Sequence, residues 1–241
     1  MADVPRAGRT PASRPASWRR DAARITPTDR YGIVLALLLA TFVFMASAPS
    51  GSPARVVTVA LQALTLVAAA SAAGAHRRFI RIVVVVAVVA FVAALASAFI
   101  NTNRNGDGVF FGLNGLLVAA APIVIARSVW RRGVVDIQTV LAAISIYVLI
   151  GMIAAFTYGA IADLSTSGFF AKNQPETTAN FLYFSFVTLT TVGYGDLTAA
   201  KNLGRSFSAL EGMIGQLYLV TVVALVVSRL TGRREDRPPG S

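Results

Sequence analysis

Thr188-Leu-Thr-Thr-Val-Gly-Tyr-Gly-Asp196 is the stretch on which the reading of this chain turns. Glycines at 193 and 195 allow backbone angles closed to other residues, so consecutive carbonyls in the run can turn to one side. An ordinary strand alternates faces from residue to residue and cannot do this. A column of inward carbonyl oxygens can replace the water shell of a cation. The plainer reading is a glycine-containing turn between two helices, and a lone Gly-Tyr-Gly would deserve no more.

The flanks favour the first reading. Residues 163–177 are polar enough to form an exposed turret, and Thr177 or Thr178 can cap a helix over 178–190. At about 1.5 Å per residue such a helix reaches about 20 Å, short of the ~30 Å needed to cross a bilayer core. Residues 204–230, after the glycine run, are apolar and long enough to cross. A short helix that enters the membrane and returns as a loop is tolerated only where protein surrounds it. Glu211 is ionisable within the later span, which marks it for attention. It has two readings here: a pair with Arg205, about a turn and a half earlier, or a structural role at the outer vestibule.

With 55% hydrophobic and 14% charged residues in 241, the composition does not suit a soluble domain. Apolar runs cover 31–48, 55–75, 79–100, 109–130, 134–162 and 204–230. The links 49–53 and 101–108 are rich in turn residues. Asn114 and Pro122 interrupt the fourth run, where the proline reads as a kink in a packed helix. Residues 1–30 carry seven arginines among Pro, Ala and Ser without apolar periodicity, so a disordered arm is expected. Its arginines suit anionic headgroups, and Trp18 suits the interface. A removable targeting segment is the weaker reading, because no cleavage pattern follows a short apolar region. Cysteine is absent, and His76, beside Arg77 and Arg78, reads as an interfacial residue. No catalytic dyad, metal cluster or phosphate loop is present, so an enzyme is not expected, nor any cofactor.

Thr191 to Gly195 spell TVGYG, and the pore half of the chain resembles the pore domain of potassium channels, of the prokaryotic six-span, single-loop type. The resemblance implies an all-α membrane protein. It would have six transmembrane helices, a re-entrant pore helix and a selectivity-filter loop in a tetrameric pore. The implied organisation is an arm over 1–30, a four-helix membrane domain over 31–132, a pore domain over 133–231 and a short tail over 232–241. Within the pore domain the outer helix is 134–162, the pore helix 178–190, the filter 191–196 and the inner helix 204–230. The carbonyls of Thr191, Val192, Gly193 and Tyr194, with Gly195 completing the loop, would hold potassium ions, and the Thr191 hydroxyl would add the innermost oxygens. Thr190, Asp196, Tyr183, Phe184 and Val187 would support the filter. One chain supplies one loop, so four copies are implied.

Further roles follow from the same resemblance. Gly215 falls at the family's hinge position, with close helix packing as the competing explanation. Gln216, Leu219, Val223 and Val227 follow at helical spacing and would line the pore and its gate. A loop opening outward puts both termini in the cytoplasm of a multi-pass cell-membrane protein. Seventeen basic residues then lie inside and five outside, as the positive-inside rule requires. The net charge of +11 therefore gives no reason to invoke nucleic acid.

The chain departs from the family pattern at three places. Phe184 stands where the family is expected to supply a donor to the aspartate after the filter, and Val187 where some relatives have a glutamate. Ala199 stands where proline is common. Residues 109–126 contain no basic residue, so the arginine ladder of a voltage sensor is missing and little or no voltage sensing is expected. The implied function is passive, potassium-selective conduction. The alternatives are a non-conducting regulatory subunit of a channel complex and a pore-loop potassium transporter, though the latter needs loop repeats that this chain lacks.

Overall fold

The computed structural model describes residues 30–48, 51–99, 105–132, 136–166 and 168–228. It is all-helical, with α1 at Arg30–Ser47, α2 at Ser52–Ala72, α3 at Arg77–Phe99, α4 at Asn105–Arg132 and α5 at Ile137–Leu164. The short α6 at Thr178–Leu189 and α7 at Asn202–Leu217 follow, and α7 continues through a π-helical turn, Tyr218–Val223, to Ser228. The arm (1–29) and the tail beyond 228 lie outside the described residues.

Five of these helices are long and apolar enough to cross a membrane: α1, α2, α3, α5 and the α7 continuation. The fourth expected span, 109–130, lies within the 28-residue α4, which holds the apolar stretch Asn114–Trp130.

α5 is the hub. It is apolar around its whole circumference, the pattern of a helix buried on all sides, and it packs against α1, α4, α6 and α7. Its start is set by a capping box: Asp136 accepts from the Thr139 N–H at 2.9 Å, and the Thr139 hydroxyl accepts from the Asp136 N–H at 3.3 Å. The Gln138 side chain accepts from the Tyr31 N–H at 2.9 Å, tying α1 to the beginning of α5. Three buried hydroxyls return to their own helices, Thr41 to Leu37 O, Thr65 to Leu61 O and Ser145 to Leu141 O, so burial leaves them satisfied. α3 packs mainly on α2 and leaves Ile82, Val85, Val86, Val89 and Val92 exposed. In a helix of this hydropathy that face suits lipid.

The segment between α5 and α6 departs from the polar turret expected of it. Phe169 and Phe170 are buried. With Tyr158, Phe181 and Phe184 they form a cluster whose ring centroids lie 5.0 to 6.0 Å apart. Two large rings outweigh their polar neighbours, since each buries far more apolar area than a short polar side chain can keep hydrated. The same segment pairs with the chain beyond the glycine loop, Ala171 N–H donating to Thr198 O and Ala200 N–H to Phe169 O, both at 2.8 Å. Ala199, buried at that bridge, fills the position where proline was expected, and the bridge holds the loop's far end.

Candidate functional site

α6 begins at Thr177, whose hydroxyl accepts from the Asn180 N–H at 3.1 Å, and ends at Leu189 with Thr190 as its C-cap. At twelve residues it is far too short to cross a bilayer. Its last carbonyls hold the start of the glycine loop. The Thr190 N–H donates to Phe186 O and the Thr191 N–H to Thr188 O, each at 3.0 Å. The N–H groups of Val192 and Gly193 both reach Val187 O, at 3.0 and 3.3 Å. Val187 therefore serves the loop through its backbone, a role that valine fills as well as glutamate.

Within the loop, φ is +59° at Thr191, +57° at Gly193 and +78° at Gly195. The two glycines adopt this left-handed region freely. Thr191 does not, because a β-branched residue at positive φ costs roughly 1–3 kcal/mol and persists only where its surroundings impose it. Four hydrogen bonds to the α6 terminus are that imposition. Residues 191–196 are all exposed in the single chain, Val192 by 52% and Tyr194 by 71%.

Asp196 closes the loop. The Tyr183 hydroxyl donates to its Oδ2 at 2.8 Å, and the Tyr183 and Tyr194 rings lie nearly parallel with centroids 6.5 Å apart. That hydrogen bond holds the Asp196 carboxyl below the usual carboxylate range. The donor therefore sits one residue earlier than the resemblance suggested. Phe184 is instead buried in the aromatic cluster, against Tyr158 and Phe170. Helical spacing explains the swap: 183 and 184 point about 100° apart, and only 183 faces the loop.

α7 runs alongside α6 in the same direction. Ser185 meets Glu211, and one turn further on each helix Leu189 meets Gly215. A Cβ on Gly215 would stand 2.7 Å from Leu189 O, so at this position glycine is required for space. The irregular part of the helix comes later, in the π-helical turn at Tyr218–Val223. Such turns are frequent at functional sites. Leu219 and Val223 lie inside it, the first exposed and the second half-buried in one chain, and Val227 lies beyond it. The Gln216 side chain donates to the Thr191 hydroxyl at 3.2 Å, joining α7 to the first residue of the loop.

Glu211 does not pair with Arg205 and sits instead in a buried group between three helices. It is 5% exposed, accepts from the Tyr158 hydroxyl of α5, and its other oxygen contacts the Ser185 hydroxyl of α6. Arg205 turns away, donating to Ala199 O at 3.0 Å. Sequence spacing along one helix could not reveal partners 53 and 26 residues away on two others.

A membrane helix bundle in which a short inserted helix presents a strained glycine loop beside a long apolar helix is the architecture of a pore. Residues 143–232 match the family model described as an ion channel. That stretch holds most of α5, all of α6, the loop and α7, so the chain carries a region similar to an ion-channel domain. The match points to a membrane channel and away from an enzyme. A comparison with curated proteins returned no match.

Proposed function

We propose that this protein is a potassium-selective channel that conducts passively through a homotetrameric filter. The observation that carries the reading is the TVGYG loop at the end of α6, with positive φ at Thr191, Gly193 and Gly195 and every residue exposed in the single chain. Exposed Val192 and Tyr194 would be covered by neighbouring copies, and four loops would supply the rings of carbonyls from Thr191 to Tyr194 that hold dehydrated potassium. Gln216, one contact from the Thr191 hydroxyl, would wet the cavity beneath the filter. The exposed apolar face of α7, including Met213, Leu217 and Val220, is the surface that copies would share.

Both termini are assigned to the cytoplasm of a cell-membrane protein, on the distribution of its arginines. The arginines at 77, 78 and 81 and those of the arm are the proposed contacts for anionic lipid. The described part of α4 carries its first basic residue at Arg127, so the transmembrane field finds no ladder of charges to move. In liposomes loaded with purified protein, potassium flux should greatly exceed sodium flux and be blocked by barium. Equal fluxes of the two ions would refute the assignment.

A further inference from the structure

The buried group around Glu211 contains one hydrogen too few for an ionised carboxylate. Ser185 Oγ lies 2.7 Å from Gly151 O and within hydrogen-bond distance of Glu211 Oε1. A hydroxyl carries a single hydrogen, and a backbone carbonyl can only accept. The Ser185 hydrogen must therefore go to Gly151 O, and the hydrogen between Ser185 and Glu211 must come from the acid. The Tyr158 hydroxyl meanwhile donates to Oε2. One direction satisfies every contact of Glu211 and Ser185: Tyr158 O–H to Oε2, Oε1–H to Ser185 Oγ, and Ser185 O–H to Gly151 O. An ionised Glu211 would leave two oxygens facing each other without a hydrogen, besides placing an uncompensated charge inside a membrane helix.

The described residues around it supply no such compensation. Tyr158 and Tyr147 of α5 are the titratable groups that face Glu211 among the described residues. α6 presents Ser185, and Arg205, on α7 with Glu211 itself, is turned to Ala199 O.

We infer that Glu211 is a neutral carboxylic acid that pins α5, α6 and α7 together and so positions the glycine loop. The pin joins α7 to α6 one turn before the Leu189–Gly215 contact and less than two turns before Thr191, the strained first residue of the loop. Its mechanical task is to keep the α6 carbonyls where the loop's N–H groups need them. Glu211 is thus a positioning residue, acting on ions only through α6. The positioning role rests on the channel reading; the protonation state does not.

Two arms separate these. The first is infrared spectroscopy of the wild-type protein and E211Q in lipid at neutral pH. The expected result is a protonated-carboxyl C=O stretch in the wild type, lost in E211Q and shifted in S185A. Its absence from the wild type would overturn the neutral acid. The second is the liposome flux ratio of potassium to sodium. E211Q, whose amide can both donate to Ser185 and accept from Tyr158, should keep the wild-type ratio, while E211A should lose most of it. Where E211A fails to assemble, Y158F and S185A each remove one link and should lower the ratio partway. Full selectivity in E211A, or in Y158F and S185A, would overturn the positioning role. A wild type that carries no flux at all would sink the channel reading and the positioning role with it, while the infrared arm would still decide the protonation state.

Discussion

Tyr183 and Asp196 show how one hydrogen bond can govern a site. A carboxylate held below its ordinary range contributes stability that is fully present above that range and is lost as pH falls through the lowered value. Tyr183→Phe removes the largest cause of the lowering. Potassium flux titrated into acid should therefore fail at a higher pH in Y183F than in wild type, moved toward the ordinary carboxylate range. Identical acid midpoints would mean that the tyrosine does not hold the loop. The glycines of the loop were legible in the sequence, because positive φ at 193 and 195 favours glycine, whereas the positive φ at Thr191 was not. The donor was not, since whether 183 or 184 faces the loop depends on the helix phase, and that is set by burial of Phe184 among aromatic rings from a segment that reads as polar.

The elements that hold the loop make sharper mechanical claims. Gly215→Ala puts a methyl 2.7 Å from the backbone oxygen of Leu189, whereas at Gly212 the nearest such atom is Thr188 O at 3.7 Å. G215A should therefore destabilise the fold by roughly 1–3 kcal/mol, the usual cost of overpacking, and G212A should be tolerated. Thermal melting in detergent or lipid checks the pair, and equal melting temperatures would contradict the close approach. Asp136→Ala removes the cap of α5 and should cost about 1 kcal/mol, read in the same melts. Helix existence was legible from hydropathy throughout, and the expected spans fall within a few residues of the observed ones. The start of α4 inside the expected link, the capped start of α5 and the π-helical turn in the last helix were not. Turn chemistry and helix irregularity are settled by neighbours, and periodicity is blind to them.

At the scale of the whole molecule, a single chain is incomplete in two places. The loop is exposed from end to end among the described residues, and α7 and its continuation have a long apolar face that those residues leave exposed. The proposed tetramer would cover both, and native mass spectrometry should then find four copies of the 25.3 kDa chain. Conduction should also be nearly independent of voltage, because α4 carries no ladder of arginines; a steep current–voltage relation would require a charge-moving element elsewhere. The pore half was legible because one motif constrains so much around it, while the task of α1 to α4 was not, beyond the contact of α1 with α6 at Phe42 and Phe186. The most direct measurement is anomalous scattering from thallium or rubidium in the assembled protein. Ions should lie in a row on a fourfold axis, caged by the main-chain oxygens of Thr191, Val192, Gly193 and Tyr194. An assembly without that axis, or ions bound elsewhere and none between those oxygens, would contradict the account.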